Sequence, residues 1–182
     1  MSFPPEDISQ IVTQIATILR ERNQTLAISE AACGGLISAY IVSVPGASNF
    51  YIGGKLVYSL KQRLKLSGWT DLEISNYMGP SEQVALKLAR TAKYELGSTY
   101  VLSETGFAGP STSIPNGNDK EEQDGNDDNE VGTVYIGLSG PTGDASTSKR
   151  TGSLDRAKNM TEFAKLGLSF LLEQLQKSEK SQ

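Results

Sequence analysis

Short apolar runs of strand length alternate with segments of helical period along most of this chain, and that alternation limits the fold more than any other feature. Thr25 to Ser29 (TLAIS), Thr99 to Ser103 (TYVLS) and Val131 to Ser139 (VGTVYIGLS) read as strands, and Asn49 to Ser59 contains another, with Gly53-Gly54 a candidate bulge. Glu6 to Arg22 carries Ile8, Ile11, Val12, Ile15 and Leu19 at helical spacing. Gly34 to Val44 reads as a helix stopped by Pro45-Gly46, and Leu60 to Leu66 as a short one. Pro80-Ser81-Glu82 opens a further helix, with Gly97 where a terminating glycine belongs. Leu154 to Gln176 reads as the last helix, with a polar, frayed tail over 177–182. Strands alternating with helices predict one α/β domain over 1–176, a sheet covered by helices on both faces.

Composition narrows the chemistry. The chain contains no histidine, which removes Ser-His-Asp and Cys-His mechanisms and histidine-ligated zinc. Acid–base work falls to Lys, Tyr, Asp, Glu or the thiol of Cys33, the only cysteine, which also precludes an intramolecular disulfide. No signal-peptide pattern and no run near the ~18 apolar residues of a membrane span point to a cytoplasmic location without membrane contact. Formal net charge is -4, but Asn116 to Glu130 alone carries -6, so the rest carries +2. That balance tolerates a small anion and is too weak for a nucleic-acid track. The acidic stretch 112–130 reads as a disordered surface loop, with a functional lid as the alternative.

Three segments offer chemistry, each with an ordinary reading beside it. In Ser29-Glu30-Ala31-Ala32-Cys33-Gly34-Gly35 a strand enters a small-residue turn and then a helix. Backbone N–H groups there suit an anion or oxyanion, or the glycines serve only tight packing. Ser48 and Tyr58 offer hydroxyls to a ligand, or belong to a helix stop and a plain strand. Glu104-Thr105-Gly106-Phe107-Ala108-Gly109-Pro110 opens at the carboxyl end of a strand, where α/β sheets bind ligands, or simply joins two strands. Cys33 is either a thiol activated by a helix start or a buried structural residue.

Taken in order, SEAACGG followed by LISA, then VPGAS, GG…VYS, the Ser81-Glu82-Gln83-Val84-Ala85 helix start, TGFAGP and VGTVYIGL resemble the C-terminal domain of the CinA (competence/damage-inducible) family, over about Leu26 to Leu172. The resemblance implies a three-layer αβα sandwich with a mixed sheet, a homodimer, and a pocket between the glycine turn and the TG-x-AGP loop. It implies hydrolysis of the carboxamide of nicotinamide mononucleotide to the acid and ammonia, with no cofactor and no metal. A ligand phosphate or carbonyl is then expected on N–H groups near Gly34, Gly35 or Thr105-Gly106.

The family motif reads E-S-C-T-G-G, with the serine as nucleophile and a later lysine as its activating partner. Here Ala31 stands at the serine position, and Ala32 and Cys33 replace Cys and Thr. The family lysine aligns with Arg63, which cannot act as a base. Lys61 or Tyr58 substitutes only if the backbone turns it inward. Glu30, Gly34, Gly35, Ser48, Tyr58, Thr105, Gly106 and Gly109 match family positions, and Cys33 completes the expected binding set. A kept pocket with damaged chemistry fits a nucleotide-binding pseudoenzyme, an active-site knock-out, or a branch with another reaction. A non-catalytic nucleotide-binding or dimeric regulatory protein is the alternative outside enzymology.

Overall fold

The computed structural model describes residues 2–112 and 130–179. Most of the acidic stretch 112–130 therefore lies outside the described residues, as does 180–182 of the tail. Five strands form one mixed sheet in the order β2-β1-β3-β4-β5: β1 (Leu26–Glu30), β2 (Tyr51–Leu56), β3 (Tyr100–Gly106), β4 (Thr133–Gly140) and β5 (Gly143–Arg150). β1 pairs parallel with β2 and β3, and β4 pairs antiparallel with β3 and β5.

Helices α1 (Glu6–Glu21), α2 (Leu36–Val42) and α6 (Arg156–Glu179) cover one face, and α5 (Glu82–Leu96) covers the other. Two short helices, α3 (Leu60–Leu66) and α4 (Asp71–Ser75), lie between β2 and α5. This is the expected αβα sandwich with a mixed sheet. The two interfaces differ in character. Ile15, Leu19, Ile28, Leu102, Phe163 and Leu171 belong to the large core under α1, α2 and α6. Against α5 the filling is small, chiefly Ala27, Ala89, Ala92 and Val101. Ser103 Oγ donates to Ala85 O at 2.5 Å, so α5 sits close upon the strands.

Several boundaries differ from the sequence reading for physical reasons. α2 starts at Leu36, because Gly34 and Gly35 take positive φ of 64° and 98°, outside the helical region. α6 continues to Glu179, through the first residues read as a tail. β5 escaped the sequence reading because it is polar and exposed, an edge strand paired only with β4. The irregularity in β2 falls between the pairs Leu26–Tyr51 and Ala27–Gly53, leaving Ile52 as the extra residue. Gly54 is there for space, since a Cβ would lie 2.2 Å from Ile28 O. At α5 the Ser81 hydroxyl accepts from Val84 N at 3.1 Å, and Gly97 ends the helix at φ 70°.

Candidate functional site

The parallel strands β1, β2 and β3 all end on the same edge of the sheet, and a cleft of about 490 Å³ opens there. Its size suits a small molecule. Ala31 and Ala32 enter it from the end of β1. Tyr58, Lys61 and Arg63 come from the segment after β2 and from α3. Gly106, Phe107 and Gly109 come from the end of β3, and Arg156 from the first residue of α6. All four positions expected to bear on catalysis, Ala31, Tyr58, Lys61 and Arg63, therefore line one cleft. Lys61 lines the cleft as an exposed residue.

The expected binding residues divide. Gly106 and Gly109 line the cleft. Gly106 is constrained by contact with the next strand, since a Cβ would lie 2.4 Å from Thr133 O. Thr105 sits one layer behind, where its hydroxyl accepts from Arg63 Nη1 at 3.0 Å. Ser48 lies apart, in a separate hollow with Val42, Pro45 and Tyr51. Glu30 is buried and works within the turn: its carboxylate accepts from Ile37 N at 2.9 Å, Ser38 N at 3.0 Å and Ser38 Oγ at 2.6 Å. Gly34 and Gly35 shape that turn beside Met160 and Leu56 and are not among the cleft-lining residues. Cys33 is 1% exposed within the large core, its thiol against Met160 O at 3.7 Å. Burial, then the charges of Glu104 and Glu30, push that thiol well above its ordinary range. This is the reverse of helix-start activation.

Glu104 explains why the glycine turn is not an open anion nest. Its Oε1 accepts from Ala31 N at 2.6 Å and Cys33 N at 2.9 Å. With Glu30 on Ile37 N and Ser38 N, the protein's own carboxylates occupy four N–H groups of this turn and helix start. At the second turn, Phe107 N donates to Thr133 O at 2.9 Å. Ala31 N and Cys33 N thus serve Glu104, Gly34 N donates to Ala31 O at 3.3 Å, and Lys61, Arg63 and Arg156 bring positive charge to the cleft. Glu104 is fully buried and its pKa is raised to about 7. Burial is the main cause, opposed by the N–H donors of Cys33 and Ala31 and by the charge of Arg63, and assisted by Glu30. Its Oε2 has no hydrogen-bond partner.

Arg63 is 7% exposed and donates to Thr105 Oγ1 and, at 2.7 Å, to Tyr77 OH. Its guanidinium also lies over the Tyr77 ring, 5.6 Å from the centroid. Arg156 donates to Gly109 O at 2.6 Å and to Tyr58 OH. Sequence reasoning missed Glu104 as a side chain, and missed Tyr77 and Arg156 altogether. A carboxylate two residues after the apolar run Tyr100-Val101-Leu102 of a strand was the available signal for Glu104. Tyr77 and Arg156 carry no local pattern that marks them.

The fold and cleft define an α/β sandwich domain with a cleft at the carboxyl edge of its parallel strands, lined by Lys61, Arg63 and Arg156. The family model of the CinA C-terminal domain matches residues 8–175. A CinA-like protein of Synechocystis sp. is 34% identical over 142 residues, covering 78% of this chain and 31% of that protein. A CinA-like protein of Synechococcus elongatus is 30% identical over 172 residues, covering 94% of this chain and 37% of that protein. The chain thus spans about a third of the length of these curated relatives. Among solved structures, the competence/damage inducible protein CihA from Agrobacterium tumefaciens superposes with a TM-score of 0.79 at 22% identity, covering 95% of this chain and 98% of that one. A CinA superfamily protein from Enterobacter cloacae gives 0.79 at 18% identity, covering 96% and 98%. The chain belongs to the CinA C-terminal domain family. Among the described residues no helix is long and apolar enough to cross a membrane.

Proposed function

We propose that this domain binds nicotinamide mononucleotide or a related pyridine nucleotide in the cleft beside Ala31, and that its amide-hydrolysing step is lost or severely reduced. The single observation that carries this reading is Ala31 in a cleft whose cations remain. Acyl transfer from a carboxamide needs an attacking heteroatom, a proton acceptor and oxyanion donors. A methyl group stands where the attacking oxygen belongs. Arg63 stands where the family's lysine belongs, and a guanidinium is not a general base. The Ala31 and Cys33 N–H groups already serve Glu104. What remains is recognition: cations for a phosphate, and Phe107 and Pro80 against a ring. Titration calorimetry with millimolar nicotinamide mononucleotide is expected to give a saturable heat and a raised melting temperature. Absence of both would remove the ligand assignment.

A homodimer is part of the same proposal. β2 is an edge strand, and it exposes Ile52 (47%) and Leu56 (58%) next to α2, which exposes Val42 (54%). An apolar sheet edge is open to pairing with a second copy, and a two-fold contact is the commonest closed solution. Light scattering is expected to return twice the 19.6 kDa chain mass, and Ile52→Lys with Leu56→Lys is expected to return the monomer mass. A monomer for the unaltered chain across the micromolar range contradicts this. The same face is what a purely dimeric regulatory protein would need. Nucleotide binding separates the two readings.

A further inference from the structure

The cleft holds three cations without a counter-ion among the described residues. Arg63, Arg156 and Lys61 all line it, and no carboxylate lines it with them. Arg63 hydrogen-bonds only to two hydroxyls, and Arg156 to a hydroxyl and a carbonyl. None of the three appears in the ion pairs among the described residues, which join Lys55, Lys87, Arg90, Lys165 and Lys177 to acidic partners elsewhere. Glu104 lies behind Arg63 and bears on it electrostatically, but its Oε1 is committed to the β1 turn.

The cations form two poles. Arg156 stands at the exposed mouth with Tyr58, which is 62% exposed. Arg63 stands at the buried end, reaching the end of β3 at Thr105, next in sequence to the residue that holds Ala31. Its Nε is buried and has no partner. Burying a guanidinium whose hydrogen bonds go only to neutral hydroxyls is costly, and an incoming anion offsets that cost. A guanidinium has five donors and no acceptor. A carboxylate presents only acceptors and matches it, whereas a carboxamide must turn an NH2 toward some of the same donors.

We propose that the cleft selects the acid form of its ligand: an aromatic ring whose carboxylate is held by Arg63 at the buried end and whose phosphate lies toward Lys61 and Arg156 at the mouth. This rests on the reading of the ligand as a pyridine mononucleotide and adds which member of the pair is preferred. Replacing a titratable amine by arginine, and serine by alanine, turns a site suited to consuming an amide into one suited to holding the acid. The chain then receives the product of amide hydrolysis carried out by another protein.

Calorimetry on the full chain tests this at pH 7.5, with nicotinate mononucleotide, nicotinamide mononucleotide and inorganic phosphate as separate titrants. The acid is expected to bind about tenfold or more tightly than the amide, because one partner meets fixed donors with matching acceptors and the other does not. Arg63→Gln is expected to bring the two affinities within about twofold, with the acid losing most. Because Arg63 is buried, Arg63→Lys serves as a second variant, keeping the charge and losing the fork, and thermal melting checks that each is folded. An intermediate preference is expected from it. Equal affinities, or tighter amide binding, in the unaltered chain overturn the inference and leave the pyridine-nucleotide reading standing. Failure of both nucleotides to bind, or binding no tighter than phosphate alone, overturns both.

Discussion

Ala31→Ser together with Arg63→Lys is expected to convert a chain with no more than trace deamidase activity into a measurable amidase. Removing a nucleophile that works as a unit with its base commonly costs about 10⁶-fold, with ~10³ over water left to binding and oxyanion donors. The unaltered chain is expected below even that residual level, at the protein-free rate, because neither Ala31 nor Arg63 can attack or accept a proton and the Ala31 and Cys33 N–H donors already serve Glu104. Ala31→Ser alone restores the oxygen but leaves Lys61, Tyr58 and Tyr77 as the candidate proton acceptors among the described residues lining the cleft. A small gain is expected from it, and adding Lys61→Ala should remove that gain. The double change supplies an amine where Arg63 now reaches Thr105, and should recover a larger share. Ammonia release from nicotinamide mononucleotide reads all four proteins. Full recovery by Ala31→Ser alone would instead mark a simple knock-out. An ordinary enzymatic rate in the unaltered chain would remove Ala31 from the nucleophile position and make Cys33 the residue to alkylate.

The second large effect belongs to Glu104. Its carboxyl titrates near 7 in the fold against 4.5 when free, so between those values the folded state binds more protons than the unfolded state. Stability therefore falls as pH rises from about 4.5 to about 7 and is flat above, by about 3 kcal/mol at ~1.4 kcal/mol per pKa unit. Urea unfolding between pH 5 and 8.5 measures this as the difference between the unaltered chain and Glu104→Gln, which should lack the slope. Glu104→Ala should lose stability at every pH, because it strands the buried Ala31 and Cys33 N–H groups at about 1–3 kcal/mol each. A flat difference between the unaltered chain and Glu104→Gln would mean that the carboxyl does not titrate in this window.

What the sequence made legible follows the strength of its apolar signals. β1, β3 and β4 are buried on both faces and read as continuous apolar runs. β5 has no such run, since its residues face solvent and only the ladder with β4 defines it. α4 is closed by a capping box between Thr70 and Glu73, a T-x-x-E pattern present in the sequence but too short to stand out by periodicity. The site is a harder case. Residue spacing placed Ala31, Gly106 and Gly109 at the right edge of the sheet, whereas Arg63 and Lys61 drew notice only through the family resemblance. At the glycine turn a sequence lists N–H donors without saying which are free. Glu104 fills two of them from 73 and 71 residues away, a tertiary contact that no local pattern encodes. Arg156 enters from the opposite end of the chain for the same reason.

One incubation tests both halves of the proposed function, a cleft that binds a pyridine nucleotide and does not hydrolyse it. The unaltered chain is held with millimolar nicotinamide mononucleotide, freed of excess ligand, and read for bound nucleotide and released ammonia in the same sample. The account predicts nucleotide retained on the protein with its carboxamide intact and ammonia no higher than in a protein-free control. Stoichiometric or catalytic ammonia, or no retained nucleotide, would contradict it.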